Sequence, residues 1–301
     1  MNYILHILIY IDIYLILALS LNMLVGYSGL LTLAHSSFFA LGAYSYALLN
    51  LIFGLSFFPC IILGILISLI FSLLISLSSW RLKGDFFVLA SIAFQVIVFT
   101  LLNNWSDNSA KLGTLKNLTN GSHGIMNIPP PSVFGFTFNN QISMFLIATA
   151  IAIFCGFIIW KLKMSPWGRL LHIIREDELA ARSIGKNTSM IKMQVIAFSC
   201  AFASVAGAIY AGYVGYIDPS SSSLNSSILL LSMVIVGGTG NLKGPIIGAT
   251  FLILIPEILR YVDFPDTVAG NLRLLIYGLM LIMFMHFRPQ GIAGSNGKSN
   301  E

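Results

Sequence analysis

The sequence predicts an all-α, polytopic helical membrane protein with about nine transmembrane spans. Of its 301 residues, 57% are hydrophobic and 9% are charged, whereas soluble domains average about 45–50% apolar and about 25% charged residues. Many apolar runs are close to twenty residues long, which is the length of a helix that crosses about 30 Å of hydrocarbon. A transmembrane barrel would instead show alternating segments of about ten residues.

Nine apolar runs are predicted to cross the membrane, and the pattern allows a count of eight to ten. They are residues 3–25, 30–53, 57–79, 86–104, 141–160, 191–214, 226–240, 245–261 and 268–287. Gly26-Tyr27-Ser28-Gly29, between the first two runs, is too short for a loop and predicts a tight turn or a broken helix. The seventh run is short and ends in Gly237-Gly238-Thr239-Gly240, so it is a full crossing, a half-helix or a re-entrant segment.

The Lys and Arg residues set the predicted orientation. Most of them follow the third, fifth, seventh and ninth spans, with Lys111 and Lys116 after the fourth as exceptions, and membrane proteins keep such basic loops in the cytoplasm. The N-terminus is therefore predicted outside and the C-terminus in the cytoplasm, with residues 1–301 forming one transmembrane domain. These loops also account for the net charge of +5, so no nucleic-acid partner is expected. The first run lacks a basic n-region and an A-x-A cleavage site, which predicts a retained span.

Two polar segments stand out between the spans. Residues 105–141 are predicted to form an extracytoplasmic loop, which is either a docking surface for a soluble protein or slack chain. Residues 161–192 are predicted to form a cytoplasmic loop, and they hold seven of the sixteen Lys and Arg residues and three of the eleven acids.

The cytoplasmic loop contains a predicted helix, Gly168–Ile184. Ser165 is suited to cap its start and Pro166 to begin it, while Gly185 followed by Asn187 predicts its end. Apolar residues recur along it at helical spacing, with acids and bases between them. A helix that lies on lipid favours Lys and Arg alone, whereas an apolar stripe with charges of both signs favours docking into a protein groove.

Catalytic and metal-binding patterns are missing from the sequence. It has no H-E-x-x-H, no G-x-S-x-G and no G-x-x-x-x-G-K-[ST] nucleotide loop. Cys60, Cys155 and Cys200 lie in apolar runs without metal-ligand spacing and are predicted to be packing residues. We therefore predict neither an enzyme nor a cofactor or metal site, and any ATP would be hydrolysed by another chain.

Four ionisable residues fall inside predicted spans: Asp12, His35, Glu257 and Arg273. Each is costly in hydrocarbon, so each is expected to face the bundle interior or a water path. They serve either as a relay or substrate contact, or as interhelical hydrogen-bonding groups and snorkelling side chains.

Small and polar residues follow the first tight turn, and they suit either close helix packing or the lining of a path for a polar solute. They are Ser28, Gly29, Thr32, His35, Ser36, Ser37 and Gly42. The G-x-[ST]-G pattern there recurs around residues 237–240, either by chance or as the pair of broken helices that marks a transporter's substrate site. The candidate path residues are Ser28, Gly29, His35, Ser36, Gly238, Thr239 and Gly240.

At the cytoplasmic loop the sequence resembles a known family. GRLLHIIREDELAARSIGKN (168–187) is similar to the coupling loop of branched-chain amino-acid ABC permeases, which reads close to G-R-A-L-x-A-I-R-E-D-E-x-A-A-x-x-x-G. LALSLNMLVGYSGLLTLAHSSFFALGAY (17–44), GYIDPSSSSLNSS with VIVGGTGNLKGPIIGA (215–249) and FRPQGI (287–292) resemble further family segments. RLKGDFFVLASIAF (81–94) resembles the segment typical of the LivM-type subunit. The outer loop departs from the family, with Leu118-Thr119-Asn120-Gly121-Ser122-His123-Gly124-Ile125 in place of L-T-G-G-x-x-G-I, which leaves the solute open.

The resemblance implies a multi-pass permease subunit in the bacterial inner membrane, part of an ATP-driven importer of leucine, isoleucine or valine. It implies an extracytoplasmic binding protein, a LivH-like second permease subunit and two ATPase subunits as partners. The residues that match the coupling loop are Gly168, Arg169, Arg175, Glu176, Asp177, Glu178, Ala180, Ala181 and Gly185. The alternatives are a urea or short-amide permease of the same superfamily, or an ion-coupled secondary transporter that uses Asp12 and Glu257.

Overall fold

A computed structural model describes most of the chain. It covers residues 2–82, 84–107, 109–114, 116–133, 136–138, 140–260, 275–276, 278–279, 282–283, 286 and 291–293. Arg273 and most of the ninth predicted span, 268–287, lie outside these described residues.

The described part of the chain is almost entirely helical. Its helices are α1 Asn2–Asn22, α2 His35–Phe53, α3 Phe57–Arg81, α4 Asp85–Asn104, α5 Gln141–Met164, α6 Pro166–Glu176, α7 Glu178–Ser183, α8 Thr188–Val214, α9 Leu224–Gly237 and α10 Lys243–Arg260. Within this part, α1 to α5 and α8 are long and apolar enough to cross a membrane. The predicted class, an all-α polytopic membrane protein, is confirmed.

The centre of the bundle is the contact between α2 and α8. A Cβ atom on Gly42 would lie 2.2 Å from the carbonyl oxygen of Ser204, and one on Gly207 would lie 2.0 Å from that of Phe39. The two backbones therefore touch, as small residues at membrane helix interfaces allow. This contact gives Gly42 the packing role, one of the two that the sequence left open.

The first predicted turn is a broken helix. Helix α1 continues through a π-helical turn, Met23–Tyr27, and α2 starts at His35 after an irregular segment. The Nε2 atom of His35 shares a 2.8 Å hydrogen bond with the Ser20 hydroxyl. Because Ser20 lies seven residues before Tyr27, about 10 Å along the helix axis, the chain turns back into the bundle before α2 begins.

Helix α9 is a half-helix, one of the forms predicted for the seventh span. It contains 14 residues and is about 21 Å long, which is short of the roughly 30 Å of a hydrocarbon core. A 3₁₀ turn, Pro219–Ser222, precedes it, and the Ser222 carbonyl accepts a 2.8 Å hydrogen bond from Gln95 in the middle of α4. The Ser36 and Ser227 hydroxyls also lie 2.6 Å apart, so α2 and α9 both begin inside the bundle.

The outer loop adds short strands to the fold. Strand β1, Ile125–Met126, pairs antiparallel with β4, Tyr216–Ile217, just after α8, and β2, Ser132–Val133, pairs with β3, Phe136–Thr137. The Ile128 amide also donates a 3.0 Å hydrogen bond to the Gly215 carbonyl. The described part of the loop is thus fastened to the end of α8, which argues against slack chain.

Candidate functional site

Helix α6 begins as the sequence predicts. The Ser165 hydroxyl accepts a 3.3 Å hydrogen bond from the Gly168 amide, and Pro166 occupies the first helical position. A Cβ atom on Gly168 would lie 2.1 Å from the Lys163 carbonyl oxygen, so only glycine fits this close return of the chain. The Trp167 indole donates a 3.0 Å hydrogen bond to Gln194 of α8, which holds α6 against the bundle.

The prediction of one continuous helix, Gly168–Ile184, is wrong. Asp177 has extended backbone angles, φ −148° and ψ 105°, and separates α6 from α7. Its carboxylate accepts hydrogen bonds from the Leu179 and Ala180 amides, at 2.8 and 3.1 Å. An aspartate that caps a new helix competes with the backbone bonds that would continue the old one. The predicted stop is correct, since Gly185 lies in the left-handed region at φ 77°.

Glu178 joins α7 to the start of α8. Its carboxylate lies 2.7 Å from Arg182 Nη2 and 2.8 Å from Lys192 Nζ, and it accepts a 3.0 Å hydrogen bond from the Thr188 hydroxyl. Burial raises the pKa of Glu178, but the hydrogen bond and charge of Lys192, with Thr188 and Arg182, outweigh it and lower the pKa to about 2. The group is therefore a stable anion at neutral pH.

Arg175 connects α6 to the broken helix. Its Nη1 atom donates a hydrogen bond to the Gly26 carbonyl in the π-helical turn. A Cβ atom on Gly29 would lie 3.0 Å from Arg175 Cγ, and one on Gly240 would lie 3.2 Å from Arg175 Nη1. The arginine side chain therefore lies against both glycine-rich segments of the chain.

The two G-x-[ST]-G segments meet in space. The Asn22 side chain donates a 2.8 Å hydrogen bond to the Asn241 carbonyl and accepts a 3.1 Å bond from the Gly240 amide. A Cβ atom on Gly26 would lie 2.6 Å from the Gly240 nitrogen. The end of α1 is thus tied to the end of α9, at the end of the bundle where α6 lies.

The predicted coupling residues divide between an inward and an outward face. Gly168 and Ala181 are buried, while Arg169, Glu176 and Ala180 are exposed. Apolar side chains also reach the surface here, with Leu179 70% and Ile184 60% exposed. Exposed apolar residues among charges on a polar loop are typical of a protein-docking surface.

The predicted path residues occupy two separate places. Gly29 and Gly240 lie beside Arg175 at the end of the bundle, and Ser28, Gly238 and Thr239 adjoin them along the chain. His35 and Ser36 lie deeper, at the buried start of α2, where the Ser36 hydroxyl also donates a 3.2 Å hydrogen bond to the Ser223 carbonyl.

Asp12 and Glu257 make separate interhelical contacts. The Thr149 hydroxyl of α5 donates a 2.6 Å hydrogen bond to Asp12, and the Tyr3 hydroxyl donates one to Glu257 of α10. Tyr3 and Asp12 are nine residues apart, about 14 Å along α1. This arrangement fits interhelical hydrogen bonding better than a common proton relay.

Comparison with known proteins identifies the family. The family described as branched-chain amino acid transport system / permease component matches residues 3–285. The chain belongs to this permease family. The high-affinity branched-chain amino acid transport system permease protein LivM of Salmonella typhimurium is 33% identical, over 93% of this chain and 67% of that protein. LivM of Escherichia coli strain K12 is 32% identical over the same shares.

More distant relatives belong to other transport systems. The autoinducer 2 import system permease protein LsrC of Escherichia coli strain SMS-3-5 is 24% identical, over 48% of this chain and 43% of that protein. No solved structure matches the chain. The predicted resemblance to LivM-type ABC permeases is confirmed, and with the apolar helices it makes the chain a multi-pass inner-membrane protein.

Sequence reasoning missed several contacts of this site. Asn22, Thr188 and Lys192 received no role, although each bonds a residue or segment that was singled out. The available signal for Asn22 was its position near the end of an apolar run, because a side-chain amide buried there needs hydrogen-bond partners. The sequence offered no comparable signal for Lys192, whose partner lies fourteen positions away.

Proposed function

We propose that the chain is a permease subunit of an ATP-driven importer of leucine, isoleucine or valine. Support comes from its family and from the names of the LivM relatives. The complete transporter would contain a LivH-like second permease subunit, two ATPase subunits and an extracytoplasmic binding protein that delivers the solute.

One observation carries the proposed mechanism: the Arg175 hydrogen bond to the Gly26 carbonyl. In this mechanism the ATPase subunits bind the loop formed by residues 161–192 and move α6 when they bind and hydrolyse ATP. Arg175 passes that motion to the break after α1, and Asn22 passes it on to the end of α9. The break after α1 and the half-helix α9 then shift together, which alternates access to the path between them.

The ATPase-facing surface is formed by the exposed side chains of α6, α7 and the residue that follows α7, Ile184. Leu179 and Ile184 supply apolar contacts, and Arg169 and Glu176 supply charges of both signs. Glu178 has a supporting role, because its bonds to Lys192 and Thr188 fix α7 on α8. A docking helix transmits force only when it is held rigidly by its own chain.

We propose nine crossings with the N-terminus outside and 161–192 in the cytoplasm. The hydrogen bond from Tyr3 to Glu257 groups the start of α1 with the end of α10. The Ile292 amide donates a 2.9 Å bond to the Val236 carbonyl, so Ile292 lies at the α6 end. Because Tyr3 and Ile292 then lie at opposite ends of the bundle, an odd number of crossings between them is favoured. The whole chain then forms one permease domain with 105–141 outside.

The proposed function is tested with the complete transporter in vesicles. Wild-type vesicles should accumulate labelled leucine in the presence of ATP and binding protein, and should not accumulate urea. Leu179→Ser should reduce both uptake and co-purification of the ATPase subunits, because it removes an exposed apolar contact. Met126→Ser is the matched control for ATPase co-purification, since Met126 is 61% exposed on the outer loop, away from α6 and α7. Uptake of urea alone, or normal ATPase binding by Leu179→Ser, would contradict the corresponding part of the proposal.

A further inference from the structure

A polar cavity lies at the starts of α2 and α9. Its volume is about 230 Å³, and its walls come from α1, α2, α8, the segment before α9, and α9 itself. At about 30 Å³ per water molecule, it holds about eight water-sized groups, close to the number of non-hydrogen atoms in a branched-chain amino acid. It is separate from the surface around Arg175: Leu17, which lines it, is nine residues from Gly26, about 14 Å along α1.

One side of the cavity carries a carboxylate without a basic partner. Asp218 is the only Asp, Glu, Lys or Arg side chain among the described lining residues. Its Oδ1 atom accepts hydrogen bonds from the Ser220 and Ser221 hydroxyls, at 2.7 and 3.3 Å, while Oδ2 has no partner among the described residues. A carboxylate between membrane helices is stabilised when a positive charge lies beside it. In this cavity a cationic group of the ligand can provide that charge.

The start of α9 supplies the opposite polarity. Its first turn is capped by the Ser223 hydroxyl, and Ser226 of that turn lines the cavity. A helix N-terminus carries a partial positive charge, and half-helices in transporters direct it at anionic substrate groups. The Ser36 hydroxyl, at the start of α2, lines the same wall.

Part of the remaining wall is apolar, and three tyrosines, Tyr14, Tyr210 and Tyr216, line the rest with Ser220 and Ser221. Leu17 of α1, Phe39 of α2 and Leu230 of α9 face the cavity together with Ile217. Aliphatic and aromatic walls favour an uncharged hydrocarbon side chain, at about 25 cal/mol per Å² of buried apolar surface. The cavity thus presents an anion, a helix N-terminus and an apolar wall within the space of one small molecule.

We propose that this cavity is a transit site for a zwitterionic α-amino acid with an apolar side chain. Asp218 binds the α-ammonium group, the start of α9 with Ser226 binds the α-carboxylate, and the apolar wall receives the side chain. This inference deepens the proposed function and rests on it. It gives a role to the one acidic residue among the described lining residues, and it places the solute where coupled motion of α1 and α9 would reach it.

The charge is tested with Asp218→Asn in the complete transporter in vesicles. Loss of the carboxylate should lower ATP-driven leucine uptake at least tenfold, with membrane insertion and subunit assembly preserved. Asp107→Asn is the matched control, because Asp107 makes the same Asp-x-Ser contact, with its Oδ1 atom 2.5 Å from the Ser109 hydroxyl, in the outer loop. Wild-type uptake by an assembled Asp218→Asn transporter would overturn the site.

A labelling experiment keeps the proposal testable if Asp218→Asn does not assemble. Cys60, Cys155 and Cys200 are buried, so an introduced cysteine can be followed with a charged thiol reagent. With ATP and binding protein present throughout, addition of leucine should slow the labelling of Ser226→Cys at least fivefold. The same addition of leucine should leave the labelling of Ser109→Cys, on the outer loop, unchanged.

The outcomes separate the cavity from the proposed function. Wild-type vesicles that carry no leucine would refute the substrate class, whatever the variants do. Normal wild-type leucine uptake with no protection of Ser226→Cys would refute the cavity alone. Protection by sodium chloride without leucine would identify an ion site and would likewise refute the amino-acid assignment.

Discussion

Replacing Arg175 by methionine removes one hydrogen bond and keeps the length of the side chain. The guanidinium of Arg175 donates to the Gly26 carbonyl, and a hydrogen bond to a charged group contributes about 1.5–3 kcal/mol. At about 1.4 kcal/mol per factor of ten, its loss corresponds to about a 10- to 140-fold change in the coupled equilibrium. Because Arg175 is partly exposed to solvent, the lower end applies, and we expect about a tenfold loss. Methionine is also a good helix former, so α6 itself should survive.

The measurement is leucine uptake per ATP hydrolysed by the complete transporter in vesicles. Arg175→Met should lower this ratio about tenfold while the ATPase subunits still co-purify, since the α7 side chains of the proposed docking surface are unchanged. Lys186→Met is the control: Lys186 lies in the same cytoplasmic loop just after α7, is exposed and has no side-chain hydrogen bond within the described residues. An unchanged ratio for Arg175→Met, or an equal loss for Lys186→Met, would refute the role of the arginine in coupling.

Further predictions concern packing, charge and energy source. Gly42→Val should force α2 and α8 apart and lower the thermal stability of the purified transporter by several degrees, whereas Gly156→Ala, whose Cβ would meet only a Leu side chain at 3.7 Å, should not. The lowered pKa of Glu178 means that its stabilising charge is fully present above about pH 4.5 and lost towards pH 2, so the melting temperatures of wild type and Glu178→Gln should converge over that range. Asp12→Asn and Glu257→Gln should still transport leucine with ATP, and wild-type vesicles with an imposed pH gradient and no ATP should not; gradient-driven uptake that Asp12→Asn abolishes would favour the secondary-transporter alternative.

The sequence predicted the fold well where one physical signal dominates. Long apolar runs define membrane helices because hydrocarbon penalises every unpaired backbone group. The caps of α6 were also readable, since the Ser165 hydroxyl and the backbone freedom of Gly185 act on neighbouring residues. The broken first helix was one of the two forms that the short Gly26–Gly29 segment predicted, the other being a tight turn.

The site was predictable only in part, because its decisive contacts join distant positions. Asp177 was predicted to lie on the polar face of one continuous helix, but its capping bonds to the Leu179 and Ala180 amides end α6 and begin α7. The repeated glycine pattern near Gly26 and Gly240 was visible, but not that Asn22 ties the two copies together. Asp218 belongs to the family-like segment 215–227, but no role was predicted for it, since only the folded chain shows that it lines a cavity.

The pairing of β1 with β4 connects the outer surface to the interior of the bundle. Ile125 and Met126 of the outer loop are in register with Ile217 and Tyr216, which directly precede Asp218. Hydrogen-bonded strands slide poorly past each other, so a pull on the loop moves Tyr216 and Ile217 with it. A protein that lands on the outer face would therefore reshape the mouth of the cavity without tilting any helix. Docking of the proposed binding protein on the outer face and ATP-driven movement of α6 would then act on opposite ends of α9.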